Sequence, residues 1–271
     1  MQFGITVSNA GAFGDPRAGI ELAVAAEKAG WDGFFTWDAL PARPEPPPAY
    51  DPWVILSSIA ALTERIRIGT CITVVPRYRV HLLARTLATL DVLSEGRLIF
   101  GVGIGDGPSS FDAFGEQSDA RVRAEKLDEA LEIMTRLWTG EEVTHRGQHF
   151  VVEKFALTAS PKQQPRIPIW VGGDSPGAMR RAARWDGWIG PSANPLAGTP
   201  EDAVVVRRRL SAEGAPPANF DLAWAGTTSG SDDDRVVPYQ RAGANWWIEV
   251  LFGSRDDVMR RVTAGPPRTG L

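Results

Sequence analysis

Short apolar runs alternate with amphipathic stretches along most of the chain. The runs are rich in β-branched or aromatic residues, which is typical of buried strands, and most are followed by a stretch with helical periodicity. Eight strands are predicted, at Gln2–Ser8, Gly33–Trp37, Ile66–Val75, Leu98–Val102, Ile167–Val171, Gly187–Gly190, Asp221–Ala225 and Trp246–Leu251. Strands that alternate with helices favour parallel pairing through helical crossovers.

Capping residues mark where several of the intervening helices begin and end. Asp15 followed by Pro16 is a typical helix start, and Gly30 ends the amphipathic stretch behind it. The same residue pair opens the next helix at Asp51 and Pro52. Later helices are predicted around Leu83–Leu90, Leu127–Trp138 and Ser254–Thr263. Their apolar stripes indicate packing against a sheet.

The number of strands predicts an α/β fold of the (β/α)8 TIM-barrel type. A doubly wound sheet is the alternative, but the strand–helix repeat continues to the last predicted helix, which favours the barrel. No linker is evident, so residues 1–271 are expected to form a single domain. Residues 141–161 are predicted to form a hairpin insertion after the fourth helix. The polar stretches 191–219 and 227–235 are rich in glycine or proline, and we expect only short helices there.

Composition and charge exclude several classes of function. The 271 residues include 33 acidic and 29 basic side chains, so nothing suggests nucleic acid or an anionic membrane as a partner. The single cysteine, Cys71, rules out an internal disulfide, and three histidines leave little material for a metal centre. No apolar stretch approaches the ~20 residues that a membrane span needs. We therefore expect a cytoplasmic protein that holds no metal.

Two aspartates follow predicted strands at the end of the barrel where ligands bind. The ligand site of a (β/α)8 barrel lies at the carboxyl ends of its strands. Asp38 follows the second predicted strand, and Asp106 lies in a glycine-rich run after the fourth. Either carboxylate is a candidate for acid, base or orienting chemistry. The alternatives are a loop cap for Asp38 and a turn aspartate for Asp106.

Glycines accumulate at the same ends of two strands. The run after the fourth strand has glycine at positions 101, 103, 105 and 107. Glycine there either lets the backbone approach a ligand or relieves crowding as the strand leaves the barrel. Gly172 and Gly173 precede Ser175 and Pro176, the pattern of a capped helix start that can receive an anion.

Tryptophans at strand positions have two interpretations. They either pack in the core or form the wall of a site for a flat aromatic ligand. The candidates are Trp37, Trp170, Trp246 and Trp247.

Five segments carry motifs in a distinctive order. They are Gly30–Asp38, Thr63–Thr70, Leu83–Gly105, Pro168–Gly173 and Trp185–Trp188. In these segments the chain resembles the luciferase-like monooxygenase family of flavin- or deazaflavin-dependent oxidoreductases. The resemblance implies a (β/α)8 barrel with an insertion after the fourth helix, in agreement with the strand count.

The resemblance also implies where a cofactor would bind. The isoalloxazine or deazaflavin ring would lie across the barrel mouth, where related proteins often have a cis peptide at the place of Cys71–Ile72. Gly105 and Asp106 would flank the ring, and the segment 172–175 would receive its phosphate. Asp38 and Asp106 are the candidate catalytic residues. The implied cofactor-binding residues are Asp38, Thr70, Cys71, Ile72, Gly103, Gly105, Asp106, Gly172, Gly173 and Ser175.

One departure from the family pattern bears on the reaction. Many deazaflavin-using members have Asp-His where this chain has Asp38-Ala39, and that histidine is often assigned to proton or ring-nitrogen chemistry. Because Ala39 leaves the role vacant, we expect a monooxygenase that uses reduced FMN and dioxygen on a small organic substrate. The alternative is hydride transfer with the deazaflavin coenzyme F420.

Two further hypotheses stay open from the sequence. One is a barrel that binds flavin without turnover, and the other is a lyase or isomerase acting on a phosphorylated metabolite. The resemblance implies homodimerisation, and a separate flavin or F420 reductase is the expected source of electrons.

Overall fold

The computed structural model describes residues 1–41, 45–105, 107–191, 198–214, 217–230 and 234–267. Within these ranges strands and helices alternate along the chain. The strands are β1 (Gln2–Val7), β2 (Gly33–Thr36), β3 (Arg67–Thr70), β4 (Thr73–Val74), β5 (Leu98–Gly103), β6 (Val143–Arg146), β7 (Val151–Phe155), β8 (Ile169–Gly172), β9 (Gly187–Gly190), β10 (Asp221–Gly226) and β11 (Trp246–Val250). The helices are α1 (Pro16–Lys28), α2 (Pro52–Leu62), α3 (Val80–Leu93), α4 (Ser109–Asp112), α5 (Ala120–Leu137), α6 (Pro176–Ala182), α7 (Pro200–Glu213), α8 (Val236–Arg241) and α9 (Arg255–Thr263).

Parallel pairing closes the main sheet into a barrel. β1 pairs with both β2 and β11, and the pairing then runs through β10, β9, β8 and β5 to β3, which returns to β2. The (β/α)8 barrel is therefore confirmed. A doubly wound sheet would leave two free edges, so that alternative was wrong.

Side chains alternate between the barrel interior and the layer beneath the helices. Aromatic side chains fill the interior, with the ring centroids of Phe35 and Trp170 5.4 Å apart and those of Trp170 and Trp246 5.2 Å apart. The outer layer buries the apolar stripes of the helices, as Leu22 and Leu87 illustrate. These aromatic rings pack the middle of the barrel.

The predicted helix caps are present. Asp15 accepts a hydrogen bond from the backbone N–H of Arg17, and Asp51 accepts from those of Trp53 and Val54. A side-chain acceptor at this position satisfies N–H groups that have no partner within the helix.

Helix α7 corrects the expectation of short helices in the C-terminal third. It has 14 residues and begins at a capping box, in which Thr199 and Asp202 bond each other's backbone N–H groups. Ala203, Val206 and Leu210 are its buried residues, at the spacing of one helical face. The prolines and glycines that flank this stretch concealed the periodic pattern.

The predicted hairpin insertion is formed by β6 and β7, which pair antiparallel after α5. The one-turn α4 makes α5 the fifth helix of the structure, although it was the fourth predicted from the sequence. His145 bonds the carboxylate of Glu129 at 2.8 Å, and His149 bonds Glu125 at 3.1 Å. These contacts fasten the hairpin to α5.

The described ranges show neither a metal-ligand cluster nor a membrane-spanning helix. They contain no group of three or more histidine, cysteine, aspartate or glutamate side chains arranged to hold a metal ion. None of their helices combines the length and the apolar character that a bilayer span requires.

Candidate functional site

A cavity of about 410 Å³ opens at the carboxyl ends of the barrel strands. This volume lies within the range of small-molecule sites, about 300–1,000 Å³. Every barrel strand, or the loop that follows it, contributes to the wall. The lining residues are Thr6, Trp37, Asp38, Ala39, Cys71, Ile72, Val74, Gly103, Ile104, Gly105, Gly172, Gly173, Ile189, Gly190, Pro191, Ala225, Ile248, Val250 and Phe252.

Most of the residues predicted from the sequence meet at this cavity. Those that line it are Asp38, Cys71, Ile72, Gly103, Gly105, Gly172 and Gly173. Asp106 lies outside the described residues. Thr70 and Ser175 are not on the wall. Thr70 is fully buried and hydrogen-bonds Thr73 at 2.6 Å, while Ser175 caps α6 by accepting from the N–H of Ala178.

The cavity floor lies where the third strand is interrupted. The sequence predicted one strand over Ile66–Val75, but β3 ends at Thr70 and β4 begins at Thr73. The peptide between Cys71 and Ile72 is cis, as the family resemblance implied. β4 pairs with β5, so the chain stays within the barrel wall beyond the interruption.

Glycines make room for Ile72 on this floor. Its Cδ1 methyl fills the place that a Cβ on Gly103 would take, and its Cγ2 methyl lies 2.9 Å from where a Cβ on Gly172 would be. A Cβ on Gly101 would overlap the carbonyl oxygen of Thr70. At positions 101 and 103 glycine therefore relieves crowding, which was one of the two interpretations of the run. Among the four glycines of the run, Gly105 alone has a positive φ, at 83°.

Asp38 is held by three hydrogen-bond donors. Its carboxylate accepts from the backbone N–H of Val74 at 2.9 Å, from the hydroxyl of Tyr78 at 3.0 Å, and pairs with Arg77 at 2.9 Å. Burial raises the pKa of Asp38, and Arg77 and the N–H of Val74 oppose that rise. The carboxylate thus anchors β4 and the segment after it. Direct participation of Asp38 in catalysis stays a prediction.

Cys71 lies on the floor beside Ile72 without the features of a reactive thiol. Burial raises the pKa of its thiol well above the usual range, which favours the unreactive neutral form.

Trp37 on the cavity wall is held by a hydrogen bond to a neighbouring strand. The Thr6 hydroxyl accepts this hydrogen bond from the indole N–H of Trp37 at 3.1 Å. This bond fixes the tryptophan ring on the wall.

Sequence reasoning missed Arg123, which positions the loop after β5. This arginine is 4% exposed, and its Nη1 donates to the carbonyls of Ile104 and Gly105 at 2.6 and 3.0 Å. Its Nε donates to the carbonyl of Ser118 at 3.1 Å. A signal was present, because position 123 falls on the same face of the helix as the apolar residue Leu127.

Of the four tryptophans predicted either to pack in the core or to form the wall of a ligand site, one does the latter and three the former. Trp37 lines the cavity, whereas Trp170 and Trp246 pack in the barrel interior. Trp247 faces the helical layer, with its ring centroid 5.3 Å from that of Tyr239. Sequence reasoning also missed the apolar wall contributed by the last three strands. Its residues are Ile189, Ala225, Ile248, Val250 and the rim residue Phe252.

A closed parallel barrel with a cavity at the carboxyl ends of its strands defines the class of protein as a (β/α)8-barrel protein with its ligand site at those ends. A family model described as luciferase-like monooxygenase matches residues 1–259. The chain belongs to this family.

Relatives of this chain include proteins named for coenzyme F420. An F420-dependent glucose-6-phosphate dehydrogenase from Microbacterium testaceum is 34% identical over 189 residues, which make up 68% of this chain and 54% of that protein. The chain therefore spans about half the length of this curated relative.

Solved structures share the fold over nearly the whole chain. An F420-dependent secondary alcohol dehydrogenase, in complex with an F420-acetone adduct, superposes with a TM-score of 0.81 at 18% identity and 97% coverage of both chains. The monooxygenase RslO1 from Streptomyces bottropensis superposes with a TM-score of 0.77 at 23% identity, again with 97% coverage of both chains. At this level of identity the likeness concerns the fold.

Proposed function

We propose that this chain is an oxidoreductase that uses coenzyme F420 to transfer a hydride to or from a small organic substrate. The observation that carries the proposal is the 34% identity, over 68% of the chain, to a relative named as F420-dependent. This relative supports the F420 alternative better than the FMN monooxygenase that the sequence alone favoured.

The cavity floor suits a planar ring. Ile72 presents an apolar side chain to the cavity and is backed by the space at Gly103 and Gly172. Gly105 and Gly173 add backbone without side chains at the edges. A flat tricyclic ring can therefore approach the backbone closely on this side. Ile72 would support the ring, Gly103 and Gly105 would flank it, and the segment 172–175 would hold the phosphate.

The chain contributes position and exclusion of water to the reaction. When bound, the coenzyme would supply hydride chemistry at a ring carbon, by which an alcohol that also loses its hydroxyl proton becomes a carbonyl compound. Ile72 and Val250 keep water from the apolar side of the cavity. Asp38 holds the floor through Val74, since its oxygens are occupied by hydrogen bonds. Ala39 carries no proton acceptor, and Asp106 remains the candidate from the sequence for taking the proton.

A paired titration tests the choice of cofactor. F420 and FMN, each oxidised and reduced, are added to the purified protein, and binding is followed by ring absorption and tryptophan quenching. We expect F420 to bind at least about ten-fold more tightly than FMN, a difference of ~1.4 kcal/mol. Tighter binding of FMN, together with dioxygen consumption that depends on substrate, would refute the proposal.

A monooxygenase using reduced FMN is the second candidate, and Ala39 is the observation that favours it. The residue that follows Asp38 lines the cavity but offers no group for proton chemistry. The same observation suits a flavin-binding barrel without turnover. The titration separates these cases, because turnover with FMN requires dioxygen consumption and mere binding does not. Failure to bind either ring would favour a lyase or isomerase.

A further inference from the structure

The cavity wall is almost without charge. Among the described residues that line it, Asp38 alone carries a formal charge, and no lysine, arginine or histidine is present. An anion moved from water into such a site needs a cation or several donors to offset its lost hydration. The one charged group on the wall is a carboxylate already paired with Arg77, so it offers an anion no attraction.

The two arginines nearest the wall are already engaged. Arg77 pairs with the Asp38 carboxylate at 2.9 Å and donates to the backbone carbonyl of Asp38 at 2.5 Å. Arg123 lies behind the loop after β5 and donates to the carbonyls of Ile104 and Gly105. Neither side chain lines the cavity. A phosphate on a substrate would therefore find no counter-charge in the described site.

Two aromatic side chains form one side of the cavity mouth. Trp37 and Phe252 meet edge to face, with ring centroids 6.2 Å apart and planes at 77°. The Trp37 ring is oriented by its bond to Thr6, while Phe252 stays 57% exposed on the rim. The next residue, Gly253, has a φ of 116°, a conformation in which glycine is favoured. A large apolar surface at the rim of a cavity is a contact surface for an apolar ligand.

We propose that the substrate is an uncharged, apolar alcohol or carbonyl compound that packs against Trp37 and Phe252, and that sugar phosphates are excluded. The proposal rests on the proposed function, because it assigns the substrate class of the same cavity. It separates this chain from a relative whose name specifies a sugar phosphate. The reason is physical: the described part of the wall supplies dispersion contacts and burial of apolar area but no cation, and the segment 172–175 would already be occupied by the phosphate of the cofactor.

Calorimetry with a matched pair of probes tests the substrate class. Cyclohexanone and 4-oxocyclohexane-1-carboxylate share a ring and a carbonyl and differ by one negative charge; glucose 6-phosphate is the third probe. Each is titrated into F420-loaded protein. We expect cyclohexanone to bind with a negative heat-capacity change and roughly a hundred-fold more tightly than either anion. Absence of cyclohexanone binding, or anion binding of equal strength, would overturn the proposal.

Variants on the rim locate the site. Phe252→Ser should weaken cyclohexanone binding roughly ten-fold, the effect of losing about 50 Å² of apolar contact, and Phe252→Leu should weaken it less. Phe252→Lys should raise the affinity for the carboxylate probe, because it supplies the missing cation. Phe155→Ser, at an exposed aromatic on the hairpin, is the control and should change nothing. Equal affinities for cyclohexanone in Phe252→Ser and the unaltered protein would count against the proposal.

The two proposals fail separately. If the protein does not bind F420, the proposed function is wrong, and the same probes titrated into the unloaded protein still decide whether the cavity prefers a neutral apolar ligand. If F420 binds and the anions bind best, the proposed function stands and the substrate class is wrong.

Discussion

The Cδ1 methyl of Ile72 occupies the space that a Cβ atom on Gly103 would need. The two residues belong to different parts of the barrel wall, the interruption after β3 and the end of β5. Gly172, at the end of β8, is close to the same side chain. The shape of the cavity floor therefore depends on the absence of side chains at two strand ends.

Substitution of Gly103 by alanine should displace Ile72 into the cavity. We expect a loss of roughly 1–3 kcal/mol in the free energy of unfolding, as in other overpacked sites, and weaker binding of F420. Urea unfolding and the fluorescence titration measure the two effects. Gly107→Ala is the control from the same run, since a Cβ there meets nothing within 4 Å. Equal losses in both variants would show that the Ile72 contact is irrelevant.

Replacement of Asp38 by asparagine should destabilise the fold more than loss of its tyrosine partner. The side chains of Arg77 and Asp38 are only 11% and 8% exposed, so the variant leaves a buried cation without its counter-charge. We expect a cost of about 3–5 kcal/mol for Asp38→Asn, and about 1 kcal/mol for Tyr78→Phe, which removes one hydrogen bond. Denaturant unfolding of both variants provides the comparison. A smaller effect at Asp38 would contradict the anchoring role.

Arg123→Lys should weaken cofactor binding without unfolding the protein. A lysine ammonium cannot reach the carbonyls of Ile104, Gly105 and Ser118 together as the guanidinium does. We expect an affinity for F420 about ten-fold lower, the equivalent of one charge-assisted hydrogen bond. Arg121→Lys, on the same helix with an 81% exposed side chain, should have unaltered affinity. Equal affinities for F420 in the two variants would show that Arg123 does not support cofactor binding.

The carboxyl of Glu249 should make stability depend on pH. Its side chain is 1% exposed and bonds Thr228, Trp247 and Arg261. Burial raises the pKa of Glu249 above its ordinary value of 4.5, despite the opposing charge of Arg261. The folded state therefore holds this proton more tightly than the unfolded state. Its contribution to stability is complete below pH 4.5 and is lost as the pH rises through the raised pKa.

Glu249→Gln removes that dependence. The free energy of unfolding of the unaltered protein, relative to that of the variant, should fall as the pH is raised from 4.5, by about 1.4 kcal/mol for each unit by which the pKa is raised, and its melting temperature should fall with it. Differential scanning calorimetry at a series of pH values measures the difference. The pKa values of Asp38 and Asp221 are also raised by burial. Because both proteins contain these aspartates, their contribution to the pH dependence of stability cancels in the difference. A difference that stays constant, or a gain in stability of the unaltered protein relative to the variant as the pH rises, would refute the assignment.

Ala39→His should add a proton acceptor to the cavity. The backbone of Ala39 is held by Asn9, which accepts from its N–H at 2.9 Å and donates to its carbonyl at 3.2 Å. A histidine there should raise the rate of hydride transfer from an alcohol and give it a pH dependence centred near pH ~6.5. Single-turnover kinetics with F420 reports this rate. Ala39→Gln is the control of similar size and should show no such pH dependence.

Much of the barrel is predictable because its signals are local. The caps at Asp15 and Asp51, the hairpin after α5 and the strand–helix alternation each depend on residues a few positions apart. α7 escaped prediction because its flanking glycines and prolines obscured a periodic stripe. The break in the strand after Thr70 was not predicted, because a continuous apolar run has the same pattern whether it forms one strand or two short ones.

The sequence by itself determined the strand–helix alternation, the family, and the strand ends at which Asp38, Gly103 and Gly172 lie. Only the closed barrel decided which of these residues meet, since strands distant in the chain become neighbours when β1 pairs with β11 and β3 with β5. The tertiary structure also decided that the Ile72 side chain occupies the space beside Gly103, and that Arg123 is buried behind the loop after β5. It likewise brought Phe252 against Trp37. Contacts of this kind join residues far apart in the chain, and no periodicity within a single segment records them.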